Sequence, residues 1–294
     1  MNSSYRFSRR QFLGALPLLA ESARVLTASP GKLLPGCQTN AWKIDRHDFS
    51  TFLNVLDQIK GLQFSGFETG FANLLEQFGN PAARRQIEAF GVRFTGIHIF
   101  LPVYDPQTNI APASIYQRVA AGGVALGAER LILSGGPVAA HGELDEPALH
   151  RKTRAIMEAA KFAQSQGLRL AYHNETPESL NDGLELRALL RETDPSLVGF
   201  LLDAGHADQA GINVPAFFRE HFQRIVGMHL RDYRDGQQVP LGQGAFDLEA
   251  LAKTVEETGW SGWVISEEDY PSGLKPGSAA IKVARESIRK AFHV

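Results

Sequence analysis

The sequence contains a single cysteine, Cys37, so an internal disulfide and a cysteine-rich zinc or iron–sulfur site are both excluded. It also lacks a charge excess, because 30 basic side chains face 32 acidic ones for a formal net charge of −2. Nucleic-acid-binding proteins usually show a basic excess or stripe, so we expect no nucleic-acid partner. No stretch approaches the roughly 20 apolar residues of a spanning helix, and we expect no membrane span in the mature protein. What remains is an ordinary globular composition, 44% hydrophobic and 21% charged.

The first thirty residues have the pattern of an export signal. Residues 8–14 read SRRQFLG, which matches the bacterial twin-arginine motif, and a short apolar stretch follows at residues 12–20. We therefore interpret residues 1–30 as a twin-arginine (Tat) signal peptide, with the Tat translocase as a partner during export. The mature protein is then expected to be periplasmic or exported. The alternative is an amphipathic N-terminal helix with two solvated arginines.

From residue 36 onward, eight short apolar runs alternate with helical patterns. The runs are residues 37–44, 66–70, 94–100, 130–134, 169–174, 199–203, 225–230 and 263–267. Most are apolar nearly throughout, as expected of strands that helices cover on both faces. Their ends lie about 32 residues apart, close to the length of a βα unit. The pattern predicts a single-domain (β/α)8 TIM barrel over residues 36–294. An open doubly wound sheet is the alternative, but no G-x-G-x-x-G motif follows the first run.

Polar side chains gather where these strands end. The ionisable residues at the carboxyl ends are Glu68, His98, His173, Glu175, Asp203, His206, His229, Arg231 and Glu267. Catalytic residues of such barrels come from this end of several strands. Apolar runs that finish in ionisable groups are costly unless those groups are exposed, paired or bound to a cation. We therefore expect the active site here.

One residue from each of the last four strands forms a candidate metal site. The set is Glu175, Asp203, His229 and Glu267, and it suits one divalent ion such as Mn²⁺, Mg²⁺, Co²⁺ or Zn²⁺. His173 lies two positions before Glu175, on the same strand face, and is the alternative ligand. The carboxylate is preferred because the chemistry also needs a base. Two neighbouring acids, Glu268 and Asp269, are interpreted as solvated loop charges.

With these motifs the chain resembles the xylose isomerase-like barrel family, which includes sugar phosphate isomerases/epimerases, ketose 3-epimerases and inosose dehydratases and belongs with the AP endonuclease family 2 superfamily. The resemblance covers residues 36–290 and rests on YHNE at 172–175, LDAGH at 202–206, HLRD at 229–232 and SEED at 266–269. It implies Asp203, His229 and Glu267 as metal ligands. Relatives carry either His-Asn-His or an isolated Glu on strand five, so both strand-five candidates stay open.

The resemblance implies a metal-dependent isomerisation or epimerisation of a small sugar or keto-sugar through an enediolate, with Glu175 and Glu267 as the acid–base pair. The expected substrate contacts are Glu68, His98, His206 and Arg231, with Trp42 or Phe100 packing on the sugar. A lyase or dehydratase acting on a keto-sugar or keto-glycoside is the nearest alternative. An exported, non-catalytic sugar-binding barrel is another, and a homo-oligomer is left open.

Overall fold

Eight parallel strands close into a barrel in the computed structural model, which describes residues 32–140, 142–269 and 275–294. The barrel strands are β1 (Leu33–Gln38), β2 (Gly66–Gly70), β3 (Arg93–Ile99), β4 (Arg130–Leu133), β5 (Arg169–His173), β6 (Val198–Asp203), β7 (Ile225–Leu230) and β8 (Gly262–Ser266). Their order around the ring is β1-β8-β7-β6-β5-β4-β3-β2, and β2 pairs with β1 to close it. The predicted (β/α)8 TIM barrel is confirmed. The predicted signal peptide at residues 1–30 lies outside the described residues.

Helices connect the strands on the outside of the barrel. They are α1 (Phe49–Gly61), α2 (Ala83–Glu88), α3 (Ala113–Leu126), α4 (Glu146–Ser165), α5 (Thr176–Glu192), α6 (Ala204–Gln209), α7 (Val214–His221), α8 (Leu248–Thr258) and α9 (Gly277–Phe292). Helix α5 is interrupted at residues 180–183, where the backbone is not helical. Two short hairpins, Ala139–Ala140 with Glu143–Leu144 and Asp232–Arg234 with Gln237–Val239, extend the loops after β4 and β7. Within the described ranges, none of the helices combines the length and apolar character needed to cross a membrane.

Local sequence signals account for the helix boundaries. The Asp247 carboxylate accepts a hydrogen bond from the amide of Ala250, which caps the start of α8. At the other end, Gly259 has a left-handed φ of 63° and stops α8 directly before β8. Gly127 ends α3 in the same way, with φ of 91°. Such caps leave only short loops between helix and strand, which keeps the βα units in register.

Two apolar layers hold the barrel together. Ile132, Ala171, Leu201, Trp263 and Ile265 form a small cluster inside the ring. A larger layer packs between the outer strand faces and the helices. Because both faces of each strand are buried, the strands read as nearly continuous apolar runs in the sequence. Burying a side chain the size of leucine or isoleucine completely contributes about 1.5–3 kcal/mol to the free energy of unfolding.

The first strand differs from its predicted position. It spans Leu33–Gln38 rather than residues 37–44, and Leu33–Cys37 pair with Gly262–Ser266 of β8. The strand ends at Gln38 because its side-chain oxygen accepts a hydrogen bond from the amide of Thr39 and starts a 3₁₀ turn. Pro35 concealed the true start, since proline lacks an amide proton and argues against a strand. The shift places Gln38 and Asn40 at the carboxyl end of the barrel.

Candidate metal centre and active site

Four side chains converge at the carboxyl ends of β5 to β8. They are His173, Asp203, His229 and Glu267, all buried, and each offers a ligand atom within 4.8 Å of the others. The Nε2 atom of His173 lies 3.0 Å from Nδ1 of His229 and 3.5 Å from Oδ2 of Asp203. Oε2 of Glu267 contacts His229 and lies 3.8 Å from Nε2 of His173. We call these four residues the quartet.

On strand five the structure brings His173 into the quartet and leaves Glu175 outside it. The strand ends at His173, and Glu175 is already the N-cap residue of α5. The backbone amide of Glu175 donates to Oε2 of Glu178 at 3.1 Å. Its carboxylate lies to one side, 3.1 Å from Oγ of Ser134 and 3.2 Å from Nε2 of His206. The preferred strand-five ligand thus lies beside the quartet, and the alternative ligand occupies its place.

The donor set of the quartet fits a divalent cation. Two imidazole nitrogens and two carboxylate oxygens are a mixed set that Zn²⁺, Mn²⁺ and related ions accept. Arg231 contacts Oδ2 of Asp203 and Oε2 of Glu267, each at 2.8 Å. Even so, among the described residues neither oxygen has a hydrogen bond of acceptable geometry. One guanidinium is therefore shared by two buried carboxylates, and such a pair is costly unless further positive charge is bound beside it.

A second ring of contacts orients the quartet. Oε2 of Glu68 lies 2.6 Å from Nε2 of His229, and Nδ2 of Asn40 donates to Oε1 of Glu267 at 2.8 Å. A carboxylate on the far nitrogen of an imidazole fixes the tautomer that presents the other nitrogen to a metal. Glu68 is fully buried and does not line the cavity above the quartet. We predicted that Glu68 would contact substrate, but the structure places it beneath His229 as a supporting residue.

A cavity of about 410 Å³ opens above the quartet. Four predicted site residues line it beyond the quartet, namely His98, Glu175, His206 and Arg231. Phe100 also lines it, with 57% of its surface exposed. Trp42 does not, because its ring is buried and its Nε1 donates to Oε1 of Gln58 at 2.9 Å. Of the two predicted packing surfaces for a sugar, only Phe100 is at the cavity.

Several cavity residues were not anticipated from the sequence. They are Gln38, Asn40, Phe71, Asn73, Tyr233 and Gln238. Ser134, which follows β4, was also not anticipated. In the structure its Oγ lies 2.8 Å from Nε2 of His98. The expectation that polar residues at strand ends form the site, applied to the run at residues 130–134, would have identified Ser134. It could not identify Gln38, because the first strand was predicted to end at residue 44. Tyr233 and Gln238 come from the hairpin after β7, for which the sequence offers no comparable signal.

One charge assignment was wrong. Glu268 is fully buried rather than solvated, and its Oε1 accepts a hydrogen bond from the amide of Leu241 at 3.0 Å. It therefore fixes the loop after the β7 hairpin instead of facing water. Asp269, its neighbour, has 44% of its side chain exposed and lines the cavity.

Several groups at the cavity have shifted pKa values, and two of them bear on the chemistry, Glu175 and His98. Burial raises the pKa of Glu175, but hydrogen bonds from His173 and His206 outweigh it and hold the value well below the usual range. Burial, with the neighbouring charge of His173, lowers the pKa of His98 to about 3. At neutral pH, Glu175 is therefore an anion. His98 is neutral, so it can hydrogen-bond a hydroxyl without adding charge.

Comparisons with known proteins agree on the fold. A family model described as "Xylose isomerase-like TIM barrel" matches residues 56–291. The "Inosose dehydratase" of Clostridium beijerinckii is 26% identical over 196 residues, which cover 56% of this chain and 65% of that protein. Two solved structures share the fold. The "IOLI protein with a binding zinc atom" has a TM-score of 0.73 at 15% identity, covering 88% of this chain and 98% of that one. The "3-keto-D-glucoside 4-epimerase, YcjR, from E. coli, apo form" has a TM-score of 0.62 at 16% identity, covering 85% and 99%.

Proposed function

Because the chain belongs to the xylose isomerase-like TIM barrel family, we propose that it is a metal-dependent enzyme that removes a proton beside the carbonyl of a small keto-sugar or similar polyhydroxylated ketone. The observation that carries this proposal is the quartet, two imidazoles and two carboxylates within 4.8 Å of one another, of which His173 and Glu267 line the cavity. The carboxylate of Glu175 stands beside it in the same cavity. Such a combination serves one chemistry well, the formation of an enolate whose negative charge needs stabilising.

In this proposal the quartet holds one divalent ion. When bound, the ion supplies Lewis-acid stabilisation of negative charge on substrate oxygens. Glu68 and Asn40 keep His229 and Glu267 in orientation, as supporting residues of metal sites usually do. The zinc atom named for one structural relative supports a divalent ion in general rather than one particular metal.

Glu175 is the proposed base. It is ionised, it lines the cavity, and 19% of its side chain is exposed, so a substrate carbon can reach it. Nε2 of His206 lies 3.2 Å from its carboxylate, and Nδ1 of His206 lies 2.8 Å from Oγ1 of Thr176. Glu267, the other half of the predicted acid–base pair, already contacts His229, Arg231 and Asn40. The proposal therefore places Glu267 on the metal and leaves proton transfer to Glu175. General base catalysis of this kind accelerates a reaction about 10²–10⁴-fold.

The fate of the enediolate separates two reactions. If the proton returns to the same or the adjacent carbon, the enzyme is an epimerase or isomerase. If a hydroxyl on the next carbon instead takes up a proton and leaves as water, the enzyme is a dehydratase. The curated relatives named inosose dehydratase favour the second outcome, although the matched segments span only about half to two thirds of their length. The structural relative named as an epimerase supports the first.

An exchange experiment in D₂O tests the proposal. The protein is loaded with Zn²⁺, Mn²⁺ or Co²⁺ and incubated with an inosose and with a panel of keto-sugars, and the products are followed by NMR. Deuterium beside the carbonyl with an intact skeleton indicates an epimerase or isomerase, and loss of water indicates a dehydratase. Glu175→Gln is the matched control, because it should retain the metal yet lose exchange by at least a hundredfold. A metal-loaded protein that exchanges no proton of any of these ketones would contradict the proposal and favour the sugar-binding alternative.

A further inference from the structure

The opposite end of the barrel carries an unusual set of three arginines. Arg93, Arg130 and Arg169 are the first residues of β3, β4 and β5, three neighbouring strands. All three line a cavity of about 480 Å³ at the amino-terminal end of the strands. None belongs to the quartet or lines the cavity above it. We call this second cavity the base pocket.

The arginines point towards the inside of the barrel. Ile132 and Ala171, each two positions beyond Arg130 or Arg169, belong to the apolar cluster inside the ring. Residues two apart on a strand share a face, so both arginines face inward. The guanidinium of Arg93 lies 5.0 Å from the ring centre of Trp263, which belongs to the same inner cluster. Three cations therefore share one concave, partly apolar space.

Their charge is only partly compensated by the protein. Arg93 forms a bidentate pair with Glu129, at 2.8 and 2.7 Å. In the described part of the chain, no salt bridge reaches Arg130 or Arg169, and the buried Nη1 of Arg130 has no hydrogen-bond partner. A buried donor without a partner is costly, and two unpaired guanidinium groups side by side repel each other.

We propose that the base pocket binds a compact tetrahedral oxyanion of the phosphate class. A phosphate offers several acceptor oxygens to guanidinium forks and would neutralise Arg130 and Arg169 together, with Nη1 of Arg130 gaining its missing partner. The apolar walls, Trp263 and Val226 among them, strengthen this attraction because they lower the local dielectric beside the arginines. The anion is either free phosphate or the phosphate group of a small metabolite. This site is independent of the proposed reaction, since it lies at the other end of the strands.

Titration of the full chain with sodium phosphate, against sodium chloride at equal ionic strength, tests the proposal by calorimetry and thermal shift. We expect saturable binding of one phosphate, equal in the metal-free and metal-loaded protein. Arg130→Gln should weaken it at least tenfold, and so should Arg169→Gln. Because the Arg169 side chain is exposed, we expect the second variant to fold as the unmodified chain does. Arg118→Gln, which removes an exposed arginine from the outer face of α3, should leave binding unchanged.

The source of the anion is resolved by a parallel titration of the metal-free protein with glycerol 3-phosphate, a phosphorylated metabolite that has no carbonyl group for the proposed reaction. Tighter binding than inorganic phosphate indicates a phosphorylated metabolite, and equal or weaker binding indicates the free anion. The proposal is overturned if phosphate has no effect beyond that of chloride. It is equally overturned if correctly folded Arg130→Gln and Arg169→Gln both bind phosphate as the unmodified chain does, because the three arginines would then only form the floor of the barrel.

Discussion

The buried ion network around Lys152 leads to a stability prediction that the structure makes quantitative. The Lys152 side chain on α4 is fully buried. Its Nζ contacts Oε1 of Glu178, lies 2.6 Å from Oε1 of Glu185 and donates to the carbonyl oxygen of Gly136 at 2.7 Å. The other oxygen of Glu185 accepts the amide of Val138 at 2.8 Å. One lysine thus joins α4, α5 and the loop after β4, and we predict that Lys152→Met strongly destabilises the fold.

The magnitude follows from what the substitution leaves behind. Removing one partner of a buried ion pair costs about 3–5 kcal/mol, because the remaining charge stays in a medium that solvates it poorly. Here two carboxyl groups remain, although burial raises the pKa of Glu178, which lets that group take up a proton and limits the loss. A chain of this size loses roughly 2–4 °C in melting temperature for each kcal/mol, so a decrease of about 6–20 °C is expected.

Urea unfolding followed by circular dichroism measures the loss. Arg84→Met is the matched control, because the pair between Arg84 and Glu88 is about half exposed. Exposed pairs of this spacing contribute only about 0.3–0.5 kcal/mol. The variant with Lys152→Met, Glu178→Gln and Glu185→Gln combined removes the charges together, and it should recover part of the stability that Lys152→Met loses.

The pH dependence separates a charge effect from a packing effect. In Lys152→Met the unpaired carboxyl groups favour the protonated form in the folded state, so their folded pKa lies above the unfolded one. The contribution of these groups to the free energy of unfolding is then fully present at low pH, and it is lost as the pH rises through their folded pKa. The difference in free energy of unfolding between Lys152→Met and the unmodified chain should therefore become smaller as the pH falls from about 8 to about 5. A loss below about 1 kcal/mol, or one that does not change with pH, would refute the reasoning.

Three further predictions concern the metal, the thiol and the N-terminus. His229→Ala or Asp203→Asn should remove bound metal, measured by plasma mass spectrometry after dialysis, with an unchanged far-ultraviolet spectrum; full metal retention would reject the quartet. Burial raises the pKa of the Cys37 thiol well above its usual value. Native protein should therefore react with iodoacetamide at least a hundredfold more slowly than unfolded protein, and equal rates would contradict the burial of the thiol. Replacing Arg9 and Arg10 together by lysine should keep the protein out of the periplasmic fraction, and undiminished export would argue against the twin-arginine interpretation.

The barrel was predictable because the signals that define it lie within each strand–helix unit and recur from one unit to the next. Each strand is buried on both faces and reads as an apolar run, and caps such as Asp247 and Gly259 mark where each unit begins and ends. The exception is β1, where Pro35 lies within the strand and Leu33 and Leu34 precede it. Pairing with β8, a contact across almost the whole chain, overrides the local preference of proline there.

The polar ends of the strands were also predictable, because polar residues follow the apolar runs directly in the sequence. The direction in which each of these side chains points was not predictable. Glu68 was expected at the substrate, yet its carboxylate lies inside the ring against His229. Glu268 was expected in water, yet it is buried against the amide of Leu241. In each case the side chain faces a partner far away in the sequence, 161 positions for the first and 27 for the second. Periodicity carries no information about such partners.

The choice between His173 and Glu175 shows where strand alternation stops being a guide. Residues two apart share a face only while the chain remains extended. The structure ends β5 at His173, and by Glu175 the backbone has turned to begin α5, with its amide bound to Glu178. The carboxylate is thereby displaced from the floor of the cavity to its wall, 3.4 Å from Nδ1 of His173. A group that bound the metal would have little freedom to accept a proton, so this displacement is what allows Glu175 to serve as a base in the proposed reaction, while the imidazole of His173 completes the quartet.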